Sequence, residues 1–392
     1  MLMKYIPTFL IAVLSSLLCA CTHQQVSEGG QGDTLQLKYA ENLTMVDYPT
    51  YTEVTLKDPW NKGKTLHTYI LVSGEKGDFS LAEHPSLIGA TIVNVPLRHA
   101  VSFNTAHAYL IGELGAIDQL KGVADLKYML LPEVHQRVRD GRIADCGDSM
   151  MPDIEKLVSL QADAILLSPF ENSGGYGRLE EMGTPIIECA DYMETSALGR
   201  AEWMKFYGLL FGKKHEADSL FAVVDSSYLA LKEKYGKEGT RERGKEGTRE
   251  RGSEILTEKL TGSTWYVPGG KSSVAQLIAA AGGSYAWTND THSGSLALPF
   301  ETVLEKAGNA DVWIFNDQHE QPMTYDQLRA EFHGYEMLKA FREHHVWYVN
   351  SLKVPYFEEV SFRPDWLLRD YIILLHPDCG LGSPKYYQPL GK

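Results

Sequence analysis

The 392-residue chain predicts an α/β protein: two Rossmann-like lobes joined by a long helix, with a small N-terminal β elaboration. Three observations carry this. Short apolar, β-branched runs alternate with helical patterns through brief connections, the signature of parallel sheets covered by helices. The alternation occurs twice, once on each side of two consecutive long helical patterns. At roughly 150 residues per domain, the length also accommodates two lobes rather than one.

Residues 1–20 read as an export signal. Lys4 precedes the apolar run FLIAVLSSLL (Phe9 to Leu18), which is too short to span a bilayer and is followed by small residues. Its end, LCAC, resembles the lipobox of bacterial lipoproteins, which implies cleavage before Cys21 and a lipid on that thiol. Leu18, Ala20 and Cys21 fit that pattern and Cys19 takes its variable position. The alternative is a plain secretory signal with a chance cysteine. Residues 21–34, with THQQVSEGGQGD, have the composition of a flexible tether. With Cys19 removed and Cys21 lipidated, Cys146, Cys189 and Cys379 remain. An odd number cannot all pair internally, so no disulfide framework is expected, with one bridge left open.

Residues 35–89 form the β elaboration. YTEVTLKD alternates, HTYILV is β-branched and aromatic, and DPWNKGK between them is a turn. The first lobe is expected over 90–194, opening with the strand Thr91 to Val95, which stops at Pro96, and a helix over Ser102 to Leu114. DIEKLVSL (helix), ADAILLSPF (strand), GRLEEMG (helix) and TPIIECADY (strand) follow. Ligands of open α/β sheets lie outside the carboxyl ends of the strands, which puts Phe170, Glu171, Asn172, Tyr176, Asp191 and Tyr192 near a cleft.

A connecting helix is expected over 195–215, where Trp203, Phe206, Tyr207, Leu210 and Phe211 recur at helical spacing and read as packing. The second lobe spans 216–392. It begins with a helix ending at Tyr235 and carries a duplicated KEGTRERG within 236–252, whose charges and glycines read as a solvated surface loop. SEILTEKL and STWYVPGG then read as strands, SSVAQLIAAAGG and FETVLEKAG as helices, ADVWIFN and HHVWYVNS as strands, and RPDWLLRDYIILLHP as the terminal helix.

Composition excludes some partners and the motifs exclude some chemistries. Thirty-seven basic against 51 acidic side chains give a net charge of −14, which argues against nucleic acid or anionic lipid as the main partner. PGGKSS sits between a strand and a helix as a P-loop would, but the glycine that motif needs five residues before Gly270 is Trp265. GDS at Gly147 to Ser149 resembles the nucleophile block of one esterase family, yet neither the matching Asp-x-x-His nor a G-x-S-x-G elbow occurs. His84, His99, His107, His292, His319, His333, His344 and His345 are scattered without ligand spacing. Glu180 and Glu181 sit on a helix surface where solvation is the default. No catalytic set is present.

Several ordered segments resemble the solute-binding proteins of ABC importers for vitamin B12, siderophores and haem, the class III periplasmic-binding-protein type. IVNVPLRHAVSFNTAHAYLIGELGA is similar to that family's opening strand, loop and helix. MMPDIEKLVSLQADAILLSP is similar to a later first-lobe segment, with Asp153 in place of an asparagine. GGKSSVAQLIAAAGGSYAW, FETVLEKAGNADVWIF and NSLKVPYFEEVSFRPDWLLRDYIILLHP look like its second lobe. The resemblance implies a non-enzymatic receptor without a cofactor, exported and lipid-anchored to a bacterial membrane on its periplasmic or cell-surface face, and partnered by an ABC permease and its ATPase. It further implies permease docking through Glu155 and Glu301, which also suit the first turn of a helix. The implied ligand is an iron chelate, haem or corrinoid in an interlobe cleft. By motif position the cleft residues are Arg98, Phe170, Asn172, Tyr176 and Tyr192 in the first lobe, and Trp265, Lys271, Trp287, Tyr356, Phe357 and Arg363 in the second. Two alternatives stand beside this: a metal-ion receptor built from converging histidines, and a tethered hydrolase or chelatase.

Overall fold

The computed structural model describes residues 32–74, 79–171, 175–236 and 253–391. The signal segment, Cys21, Asn172 and the duplicated units over 237–252 lie outside the described residues. An antiparallel meander opens the fold: β1 (Asp33–Leu35), β2 (Leu43–Asp47), β3 (Thr52–Lys57) and β4 (Thr65–Ser73). Along β3, Thr52, Val54 and Leu56 are buried while Glu53, Thr55 and Lys57 point outward, as the alternation requires. β5 (Thr91–Val95) then pairs parallel to β4, from Tyr69↔Thr91 to Ser73↔Val95. The strand expected to open the first lobe therefore completes the N-terminal sheet. A short β-branched run carries no mark of which sheet edge it will join.

Two buried carboxylates seat this sheet on the rest of the chain. Glu202, fully buried, accepts the backbone N–H groups of Lys38, Tyr39 and Ala40 at 2.7–3.0 Å. Glu194 accepts those of Glu41 and Asn42 and the indole N–H of Trp203, each at 2.9 Å. Charge-assisted bonds from several donors make such burial tolerable.

The first lobe runs β6 (Ala100–Ser102), α1 (Thr105–Glu113), β7 (Leu120–Val123), α2 (Pro132–Arg139), β8 (Ala144–Asp145), the hairpin β9 (Gly147–Asp148) and β10 (Met151–Pro152), α3 (Ile154–Ser159), β11 (Ala164–Leu167), α4 (Arg178–Glu181) and β12 (Ile186–Glu188). Its sheet has the order β12-β11-β6-β7-β8 and is parallel throughout. Every residue of β11 is buried, as expected of a central parallel strand covered on both faces.

The helix expected over 195–215 is divided into α5 (Ala197–Glu202) and α6 (Met204–Phe211). Gly212 ends α6 in the left-handed region at φ 66°, a conformation that favours glycine. The long helix is the next one, α7 (Lys214–Tyr235), of 22 residues. It packs against α6 and, farther along, against the terminal helix of the second lobe.

The second lobe comprises β13 (Ile255–Thr257), β14 (Leu260–Thr261), β15 (Thr264–Pro268), α8 (Ser273–Ala280), β16 (Ser295–Leu298), α9 (Phe300–Ala307), β17 (Val312–Asp317), α10 (Tyr325–Glu331), α11 (Lys339–Arg342), β18 (Val346–Asn350), α12 (Tyr356–Glu359), α13 (Pro364–Leu375) and β19 (Gln388–Pro389). β13, β17 and β18 are parallel neighbours in that order, while β14, β15 and β16 form a small antiparallel sheet. The lobes repeat one plan. In each, a short helix (α3, α9) feeds a strand (β11, β17) lying between the lobe's first strand (β6, β13) and its successor (β12, β18).

Cys146, Cys189 and Cys379 are free thiols. Burial pushes the Cys146 thiol up to about 11, so it stays protonated and unreactive at neutral pH.

Candidate ligand cleft and docking faces

The carboxyl ends of the first lobe's strands converge on one surface. After β6, Asn104 caps α1 by accepting the Ala106 N–H at 2.8 Å and donates to the Ser168 hydroxyl, beyond β11, at 3.1 Å. Two residues on, Phe170 is 53% exposed. Tyr192, beyond β12, donates its hydroxyl to the Pro169 carbonyl and keeps its ring partly open. Behind these rings lies Asp191, buried between His107 Nε2 at 3.1 Å and Arg200 Nε at 3.0 Å. Desolvation opposes its charge, but the Arg200 guanidinium and the His107 hydrogen bond hold the carboxyl below its usual range.

The second lobe presents a concavity of about 420 Å³ lined by Glu258, Lys259, Tyr266, Ser272, Ser273 and Ser295 among others. Lys271 is exposed beside it, at the entry to α8. The Gln276 amide donates to the Thr195 carbonyl at 2.8 Å and to the Lys271 carbonyl at 3.4 Å, which brings Lys271 to the first lobe three residues from Tyr192. On α12, Phe357 is half exposed. Its neighbour Glu358 is buried and accepts from the Thr105 hydroxyl at 3.1 Å and the Leu130 N–H at 2.7 Å. Glu358 and Gln276 thus fasten the two lobes along a seam.

Of the residues expected in the cleft, Tyr192 lies three residues before Thr195, which Gln276 bonds, and Lys271 and Phe357 neighbour the fastening residues on the second-lobe side, while Phe170 lines a separate concavity toward the N-terminal sheet. Tyr176 turns aside, donating its hydroxyl to Glu188 at 2.7 Å on the flank facing the N-terminal sheet. Arg98 lies at the opposite end of the lobe: its N–H bonds Asp163, just before β11, so it belongs to the amino ends of the strands. Trp265 is fully buried, donates to the Thr257 carbonyl at 2.8 Å, and packs among Phe300, Trp313 and Tyr335. Trp287 and Tyr356 are likewise core residues. Arg363 is turned inward, paired through two nitrogens with Asp365 at 3.0 and 2.7 Å and lying 3.6 Å over the Trp366 ring. These four are corrections with one cause: a lobe this rich in rings spends them on its own interior.

Tyr128 and Met150 went unread in the sequence. They are 56% and 78% exposed on loops beyond β7 and β8, anchored by the Leu130–Glu358 bond and by Ser149, whose hydroxyl donates to Asp125. The only available signal was apolar side chains inside turn-rich stretches. Ser149 is thereby accounted for as a loop anchor rather than a nucleophile. Gly269 and Gly270 are explained too. A Cβ at either would fall 2.3–2.4 Å from carbonyl oxygens of the loop through Trp287, Asp290 and His292, so the close approach is to backbone.

Among the described residues, one set has metal-ligand proximity: Asp317, His319 and Glu331. The Lys259 ammonium stands 2.6 Å from both Asp317 and Glu331, filling the place a cation would take. Glu155 and Glu301 are exposed on the first turns of α3 and α9, the two helices that correspond between the lobes.

The fold is a pair of α/β lobes fastened along a seam. The sequence pattern described as periplasmic binding protein matches residues 101–351, and the chain belongs to that family. It is similar to a lipoprotein of uncharacterised function from Methanocaldococcus jannaschii, 23% identical across 93% of this chain and 87% of the relative. A shorter similarity, 30% identical over 33% of this chain and 42% of the relative, links it to the petrobactin-binding protein YclQ of Bacillus subtilis. Among solved structures, an ABC transporter substrate-binding protein from Listeria monocytogenes superposes with a TM-score of 0.53 at 16% identity, over 72% of this chain and 99% of that one. The periplasmic haem-binding protein HutB of Vibrio cholerae does so with a TM-score of 0.52 at 16% identity, over 69% and 98%.

Proposed function

We propose that this ABC-importer binding protein captures an iron chelate, haem or corrinoid at the interlobe seam and hands it to the permease from a membrane anchor. The observation that carries this reading is the pair of open aromatic side chains, Tyr192 and Phe357, each close in sequence to a bond that fastens the lobes, with Lys271 exposed on the second-lobe side. Flat, partly apolar chelates suit such faces, and an ammonium pairs with their carboxylates. The names of YclQ and HutB, which cite petrobactin and haem, support the same ligand class. The ammonium between Asp317 and Glu331 weighs against a bare metal ion as ligand.

Exposure of Glu155 and Glu301 on equivalent helices supports their role as the permease contacts. Lipidation at Cys21 is supported by the relatives named as lipoproteins. No helix among the described residues is long and apolar enough to cross a membrane. The test is an absorbance titration of the purified mature protein with ferric siderophores, haem and cobalamin. One of them is expected to bind at micromolar concentration or below, and to weaken about tenfold in Phe357→Ala; failure of all three sinks the reading.

A further inference from the structure

A second concavity, of about 650 Å³, lies outside the seam. Its floor is the outer edge of β12, where the Tyr69 hydroxyl accepts the Glu188 N–H at 2.8 Å and donates to the Ile186 carbonyl at 3.1 Å. One wall is the turn between β3 and β4, with Asp58 and Trp60; the other carries Phe170, Tyr176 and Glu180. All lining residues belong to the N-terminal sheet or the first lobe. This groove needs nothing from the second lobe.

Its chemistry is one-sided. Asp58, Glu180 and Glu188 line it and, among the described residues, no Lys or Arg does, although Lys64 stands near enough to Asp58 to favour its charged form. Tyr176 ties two of these acids together, donating its N–H to Glu180 and its hydroxyl to Glu188, both at 2.7 Å. Glu188 also meets His67 Nδ1 at 3.1 Å, and His67 Nε2 is 2.7 Å from the Thr91 hydroxyl, so the buried carboxylate is fixed in place. Asp58, though desolvation opposes its charge, is kept below the usual carboxylate range by donors from Asn61 and Trp60. Trp60 and Phe170 add aromatic faces. The three acids are absent from the one set of ligand atoms close enough to share a metal ion. Carboxylates interleaved with aromatic rings select instead a cation that has an organic body.

We propose that the groove is a second binding site, for an organic ammonium ion whose flat apolar body rests on Trp60 and Phe170 while its charge faces Glu180 and Glu188. The proposal stands independently of the chelate at the seam. Calorimetric titration of the purified mature protein with phenethylammonium and benzyltrimethylammonium tests it, with 2-phenylethanol as the neutral counterpart and phenylacetate as the anion. Saturable binding of the ammonium ions is expected, with the alcohol weaker by about tenfold and the anion not bound. Glu180→Gln, an exposed helix-surface change that preserves the fold, and Trp60→Ala should each weaken ammonium binding by about tenfold, whereas Phe357→Ala at the seam should not. No saturation at millimolar ammonium, equal affinity for the alcohol, or indifference to both groove variants overturns the proposal.

Discussion

Glu358 shows how much one side chain can decide. Its buried carboxylate holds the Thr105 hydroxyl and the Leu130 N–H of the opposite lobe. Glu358→Ala should cost about 1–3 kcal/mol in urea unfolding, because two polar groups lose their acceptor; Glu358→Gln should cost less. Asp191 makes a pH-dependent contribution. Since its folded pKa is depressed, its stabilisation is fully present above the ordinary carboxyl value of 3.8 and is lost as pH falls through the lower, folded value. Removing Arg200, which is about a third exposed, should cost about 2–3 kcal/mol near neutrality. Melts of Arg200→Met from pH 6 down to pH 3 should show a smaller acid loss than the parent. At this scale the sequence was least legible. Residue type alone cannot say whether Trp265 or Arg363 faces a ligand or its own lobe: Trp265 sits on an antiparallel strand whose neighbour Tyr266 is exposed, so a one-residue change of register would swap them, and Arg363 precedes a helix beside its own partner Asp365.

The elements were read more successfully where they were long or capped. α8, α9, β17, β18 and α13 occupy the stretches their patterns predicted. β6, β7 and β8 have only two to four residues, too few alternations to register against their surroundings. The split of 195–215 falls at Trp203, one of the rings whose helical periodicity runs straight through it, and Gly212 then ends α6. The prediction proper to elements concerns α3 and α9. Both carry a solvent-exposed glutamate at their second position, and as first-turn carboxylates these contribute only about 0.3–1 kcal/mol each to stability. Glu155→Ala with Glu301→Ala should therefore leave folding and ligand titration nearly unchanged while abolishing uptake in cells. Normal uptake by the double variant would reassign both residues to helix capping alone.

The molecule as a whole joins its parts through packing rather than through flexible linkers. α7, roughly 33 Å long at 1.5 Å per residue, packs against α5 and α6 and against α8 and α13 of the second lobe, and one continuous core cluster runs from Leu43 to Leu390. Small-angle scattering should accordingly show little change in radius of gyration when ligand binds; a large contraction would mean that the Glu358 and Gln276 fastenings break in the free state. The N-terminal sheet, legible in sequence as strands but not as a partner of the first lobe, has a consequence for how copies coexist. β12 is an edge strand, and edge backbone is what neighbouring molecules use to join sheets. A single phenol oxygen, from Tyr69, occupies both an outward N–H and an outward carbonyl there. Neighbouring copies thus meet a closed margin at that strand, with those two groups unavailable to seed a shared sheet.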